Sequence, residues 1–144
     1  MKEVIKVKTG SKFEELGSYS RLIAVGDLIF VSNTAGRNPV TKEMPEDPAE
    51  QTLQVLANIE NALAAVDASL GDIVAARVFV PFAQDIDIVM ATYAEKMRGI
   101  NPTLTLTSPS LGSEIYKVEI EVTAYRGVSQ AQVNEITISA GSPR

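Results

Sequence analysis

Apolar and polar positions alternate in steps of two along much of this chain, and they recur at helical spacing in two places. The clearest alternation runs from Asn101 to Arg126. Residues 101–107 and 115–126 form two arms separated by the turn-rich segment Ser108-Pro109-Ser110-Leu111-Gly112, and both arms read as strands. In the second arm Tyr116, Val118, Ile120, Val122 and Ala124 share one face, and Lys117, Glu119, Glu121, Thr123 and Tyr125 share the other. Upstream, Glu3–Val7 alternates weakly and suits a short edge strand, and the polar stretch 9–20 suits a loop. Arg21–Val25 and Leu28–Ser32 flank Gly26-Asp27, a two-residue hairpin signal. The run 28–32 is nearly continuous in apolar residues, which predicts burial on both faces. Residues 33–46, with Gly36, Pro39 and Pro45, read as a loop.

Helical periodicity begins at Asp47-Pro48-Ala49-Glu50, where Asp47 suits the N-cap and Pro48 the first turn. Leu56, Ile59, Leu63 and Val66 carry the stripe, and a stop is expected near Gly71. Residues 73–81 are a β-branched strand. A second helix opens at Asp85 with Ile86, Val89, Met90, Tyr93, Ala94 and Met97 on its apolar stripe, and it ends by Gly99. After Tyr125 the tail carries one short alternation, Val133 to Ile138. The element order is βββαβαββ, an α+β fold with both helices on one face of the sheet. The links through the two helices suit parallel crossovers. The polar alternation in 117–125 then predicts partial burial against another subunit.

Composition narrows the chemistry. The chain has 144 residues, 45% hydrophobic and 22% charged, ordinary values for one soluble domain. The net charge of -5 and the lack of a basic stripe argue against nucleic acid and against an anionic membrane surface as partners. No apolar run reaches the ~18 residues of a membrane span, and nothing at the start resembles a signal peptide, so a cytoplasmic location is the expectation. The chain contains neither Cys nor His. Thiolate nucleophiles, zinc–sulfur sites and Ser-His-Asp triads are excluded, and no metal or cofactor is expected. Carboxylates, phenols, hydroxyls and backbone amides remain. Glu is depleted in strands. Glu119 in mid-strand therefore has two readings: part of a solvated sheet face, or a cleft carboxylate for acid–base work.

Four segments, in order, resemble the reactive-intermediate deaminase family (RidA/YjgF, also labelled endoribonuclease L-PSP). They are Tyr19-Ser20 with Ala24–Ser32, the helix from Asp47 to Ala68 with Gln51-Thr52 and Asn58, the passage Ser69–Val80, and Val118–Val122. The match spans roughly residues 17–125. It implies a six-stranded mixed sheet with two helices, close to chorismate mutase, in a single domain of residues 1–127 with 128–144 as an extension. It implies a homotrimer with clefts between subunits that take a small-molecule ligand. It also implies hydrolysis of 2-imino or enamine acids to 2-keto acids and ammonia. Carried over by position, Glu119 orients the attacking water, Tyr19 shapes the cleft, and Ser32 and Asn33 lie at its strand end, with Asn33 standing where the family usually has Gly.

The family's Pro-x-Arg segment reads Pro102-Thr103-Leu104 here. Leu104 replaces the Arg that holds the substrate carboxylate. Thr105 follows it, and the amide-donating position becomes Leu106. Leu cannot reproduce a bidentate Arg contact. Another cation would have to serve, Arg37 or Arg21 being the candidates, each with an ordinary surface role as the alternative; Arg77 reads as a sheet-face or interface residue. Otherwise the ligand is not an anion. Two functions stay open: a deaminase built on Glu119, and a trimeric ligand-binding or regulatory protein with little catalysis. A ribonuclease ranks last, for want of His and of basic charge.

Overall fold

A computed structural model describes residues 3–141. The six strands are β1 (Val4–Val7), β2 (Leu22–Val25), β3 (Leu28–Ala35), β4 (Ile73–Phe79), β5 (Thr103–Thr107) and β6 (Glu119–Tyr125). They form one mixed sheet in the order β1-β2-β3-β6-β4-β5. Only β4 and β5 pair in parallel; every other pairing is antiparallel. The helices are α1 (Lys12–Gly17), α2 (Pro48–Ala64) and α3 (Ile86–Lys96). The architecture is thus the expected α+β sheet, with a third, short helix added.

That helix lies in the stretch expected to be a loop. Its hydrogen bonds are local. The Ser11 hydroxyl accepts the Phe13 N–H, and buried Glu14 accepts from both the backbone and the hydroxyl of Thr9. Such side-chain caps let a six-residue segment whose Phe13 and Leu16 stay exposed close a short helix without a buried apolar stripe. The longer helices follow their sequence signals more closely. The Asp47 carboxylate accepts the Glu50 N–H at 2.9 Å, with Pro48 in the first turn. α2 ends at Ala64, earlier than expected, because the chain turns through Asp67 at φ 59°. Asp85 precedes α3 without capping it, and Ala94 is exposed, off the buried stripe of Val89, Tyr93 and Met97.

The core lies between α2, α3 and one face of the sheet. Leu22, Ala24, Ile29, Val31, Ala76, Val78, Ile120, Val122 and Ala124 meet Val55, Leu56, Ile59 and Leu63 of α2 and Val89 and Tyr93 of α3. β4, α3 and β5 form the expected parallel crossover. The link through α2 joins parallel strands that are not neighbours, because β6 lies between β3 and β4. The arms at 103–107 and 119–125 therefore do not pair with each other.

The other sheet face is uncovered among the described residues. Phe30 is 47% exposed and Leu28 39%. The expectation that β3 is buried on both faces fails for the single chain, because among the described residues no element packs over Leu28, Phe30 and Tyr125. At the end of the domain, Val128–Gln130 form a short 3-10 turn seated against Asp72. Residues 131–141 carry no regular structure, and Val133, Ile136 and Ile138 are exposed, so within this chain the tail adds no strand. The end of the expected 128–144 extension, 142–144, lies outside the described residues.

Candidate functional site

Glu119 begins β6, opposite Ala35 of β3 and Phe79 of β4. By strand alternation its side chain leaves the core face that Val118 and Ile120 occupy. The backbone just before it is held by α2. Gln51 is completely buried, and its Oε1 accepts the N–H groups of Lys117 (2.7 Å) and Val118 (3.2 Å). Its Nε2 donates to the carbonyls of Pro45 and Ile115. One amide side chain thus ties a loop, a helix and the entry to β6 together. Asn58 does the same for the end of β3, donating to the carbonyls of Ala35 and Arg37. Gly36 must be Gly, because an added Cβ would come within 2.6 Å of the Gln51 carbonyl oxygen. Gln51 and Asn58, two of the positions that carry the family resemblance, are thus the props of the site.

A β-bulge aims the next residue. Between Val31 and Thr34 the β3–β6 register slips, so Ser32 and Asn33 together oppose a single step of β6. Strict alternation from Ile29 and Val31 would turn Asn33 into the core. After the bulge, Thr34 takes the core position, and Asn33 donates from Nδ2 to Glu119 Oε1 at 2.7 Å. The Asn33 carbonyl accepts from Arg21 Nη2 at 3.1 Å. Arg21 is half-buried, and its guanidinium lies 5.7 Å from the centre of the Tyr19 ring. Ser32 fixes this edge by donating its hydroxyl to the Ser20 carbonyl and its N–H to that of Arg21.

The result is a cluster of Tyr19, Arg21, Asn33 and Glu119. Burial pushes the Glu119 carboxyl above the usual Glu range, and the Arg21 charge opposes that only in part. Arg21 and Glu119 make no direct ion pair; among the described residues the ion pairs are Arg77–Glu121, Arg98–Glu95 and Arg126–Asp27. Arg21 Nε and Asn33 Oδ1 are both buried and without hydrogen-bond partners. A carboxylate with a raised pKa, on a rim beside a fixed cation, is suited to taking a proton from water near neutral pH.

The other expected residues lie elsewhere. Arg37 Nη1 donates to the Lys42 carbonyl at 2.8 Å, within the 38–43 loop. Arg77 pairs with Glu121 on the open face. Leu104, Thr105 and Leu106 are on the edge strand β5, two strands from β6. Leu104 and Leu106 pair with Ala76 and Val78 of β4, so they belong to the helix face, and Leu104 is 47% exposed. Thr105 pairs with Arg77 and shares the open face. Two surface depressions, one lined by Asn38, Glu43, Pro45 and Gln54 and one by Phe82, Leu111 and Glu114, do not include Glu119.

Sequence reasoning left Arg21 open between cleft and surface and did not foresee the Asn33–Glu119 bond. The usable signal was parity: Arg21 alternates with buried Leu22 and Ala24 and so shares a face with Ile23. The bulge that turns Asn33 has no sequence mark of its own.

Comparisons with known proteins identify the family and the fold. The family model described as endoribonuclease L-PSP matches residues 9–126. The 2-iminobutanoate/2-iminopropanoate deaminase of Escherichia coli K12 is 34% identical over 115 residues, covering 77% of this chain and 89% of that protein. The crystal structure of Rv2704 from Mycobacterium tuberculosis, a member of the YjgF/YER057c/UK114 family, superposes with a TM-score of 0.77 at 31% identity, over 85% of this chain and 99% of that one. The YjgF gene product of E. coli gives 0.73 at 29% identity, over 84% and 94%. From the family match over residues 9–126, these identities and the shared fold, the chain belongs to the RidA/YjgF family, that of endoribonuclease L-PSP.

Proposed function

We propose that this protein hydrolyses a reactive imine, or its enamine tautomer, to a carbonyl compound and ammonia, with Glu119 as the residue that orients and deprotonates water. The observation that carries this is the Glu119 carboxyl itself: half-buried, held at one oxygen by Asn33, and raised in pKa by burial. As water adds to the carbon of the C=N bond, Glu119 takes its proton and passes it to the nitrogen. The carbinolamine then collapses: its hydroxyl proton moves by way of Glu119 to the nitrogen, the C–N bond breaks, ammonia leaves, and the oxygen delivered by water becomes the carbonyl. No electrons are gained or lost, and the reaction calls for no metal or organic cofactor. The 34% identity to an imino-acid deaminase supports this reaction class.

The working site is proposed to lie between copies of the chain, in a homotrimer. Within one chain Leu104 and Leu106 sit two strands from Glu119 and on the opposite sheet face, so they reach it only from a neighbouring copy. The uncovered apolar residues Leu28, Phe30 and Tyr125 supply a surface for such a neighbour. Tyr19 and Ser32 shape the wall of the cleft from one side, with Thr105 from the other. Arg37 is committed to its own loop in this reading.

The test is ammonia and keto-acid release from freshly generated imines, with wild type beside Glu119→Gln. Removal of a general base lowers turnover by roughly 10²–10⁴; equal rates in the two proteins would take Glu119 out of the mechanism. A second reading is a trimeric binding protein with little catalysis, favoured by the apolar, exposed Leu104 at the family's anion-binding position. Thermal stabilisation by a small metabolite without turnover would select it.

A further inference from the structure

Resting on the reading of Glu119 as the water-orienting residue, we infer that Arg21 of the same protomer binds the substrate's anion, in place of the position now held by Leu104, and thereby selects 2-imino acids over neutral imines. The argument begins with placement. Arg21 immediately precedes β2, and the Ser32 N–H donates to its carbonyl, so it sits across from the bulged segment of β3. Strand parity puts its side chain on the face of Ile23 and Glu119, opposite buried Leu22.

The guanidinium is fixed from two sides. The Tyr19 ring lies against it at 5.7 Å, and the Asn33 carbonyl accepts from Nη2. A cation already ordered by its own protein loses little rotamer freedom when it takes up a ligand. Arg has five N–H donors. One of them meets Asn33, and Nε is buried without a partner. The nearby carboxylate does not consume the rest, because Glu119 is held by the Asn33 side chain and makes no direct ion pair with Arg21.

Asn33 therefore works in both directions, with its backbone oxygen on the cation and its side-chain nitrogen on the acid. It sets the cation and the acid side by side without letting them neutralise each other. A 2-imino acid has the matching arrangement, since its carboxylate is bonded directly to the imine carbon. With the carboxylate on Arg21, that carbon faces the Glu119 side of the cluster. A neutral imine gains nothing from Arg21.

The test compares 2-oxobutanoate with 2-oxobutanamide as ligands, by calorimetric or NMR titration of the intact protein. Wild type is expected to prefer the acid, and Arg21→Gln to lose about 10–100-fold of that preference, the worth of a charge-assisted hydrogen bond. Arg21→Lys should keep part of it. Leu104→Arg placed on Arg21→Gln should restore some, which would show that the variant still folds and assembles. An acid preference unchanged in Arg21→Gln, or absent in wild type, would overturn the inference. Turnover separates this from the reaction itself. Imine hydrolysis with the same KM for carboxylate substrates in wild type and Arg21→Gln would leave the deaminase standing and remove Arg21. An Arg21-dependent acid preference without any turnover would do the reverse.

Discussion

Two carboxylates stand at opposite ends of the sheet, and burial treats them differently. Asp72 lies just before β4, which starts opposite Ala124 at the far end of β6; Glu119 starts β6 at the other end. Both are withdrawn from water, and withdrawal alone favours the protonated form. Asp72 is 3% exposed. Burial pushes its pKa up, but the hydrogen bonds it accepts from the Ser129 and Ser69 N–H groups outweigh that and hold the carboxyl below the ordinary range. Glu119 accepts one side-chain amide hydrogen bond, from Asn33, and burial wins. Asp72 is a fastener: it closes the 69–72 turn and anchors the residues after β6. Glu119 is left with its burial only partly offset by its own chain, and perturbed carboxylates of this kind cluster at functional sites.

Substitutions should widen this contrast. Asp72→Asn keeps the shape but turns one acceptor into a donor facing an amide N–H, so a loss of about 1–3 kcal/mol of stability is expected by denaturant unfolding at neutral pH, with kcat unchanged. A truncation after Arg126 removes the Ser129 N–H from Asp72 and should cost about 1 kcal/mol. The same cut after Gln130, which takes only the exposed tail, should stay within about 0.5 kcal/mol.

Glu119→Gln should move the other way. It removes a charge that burial disfavours while keeping an oxygen for Asn33, so its melting temperature at neutral pH should lie at or above that of wild type even as turnover collapses. A clear drop in melting temperature would mean that Glu119 is structural. The pH dependence separates the two sites with smaller effects. Because the Asp72 pKa is lowered, its contribution is present at neutral pH, begins to fade as pH falls past 3.8, and is gone below its lowered value. Because the Glu119 pKa is raised, its cost is absent below 4.5 and grows as pH rises through its raised value. The stability advantage of Glu119→Gln should therefore vanish in acid, and so should the deficit of Asp72→Asn. Melting curves recorded from neutral to acid pH check both.

The sequence by itself determined the six strands, the two long helices and the core face of most of them. Alternation placed Val118, Ile120, Val122 and Ala124 in the core, and helical spacing placed Leu56, Ile59 and Leu63 against them. These patterns are legible because burial of apolar area acts on every residue of an element and leaves a period in the chain. Asp47-Pro48 and Gly26-Asp27 were legible for a related reason, since caps and tight turns need particular residue types. The family, too, was carried by ordered short motifs. The α1 turn was not, because its stabilising bonds are local and polar and leave no apolar period.

Only the tertiary structure decided the neighbours. That β6 lies between β3 and β4 depends on long-range pairing, which alternation does not encode. The site followed from that choice and from one bulge. Without β6 beside β3, Asn33 and Glu119 are 86 residues apart in sequence and unrelated. Without the slipped register, Asn33 points into the core and Arg21 loses its companion on the open face. A bulge costs one unpaired step and leaves no required residue type behind. That is why Arg21, one of several arginines in the sequence, stands out only once the sheet has been assembled.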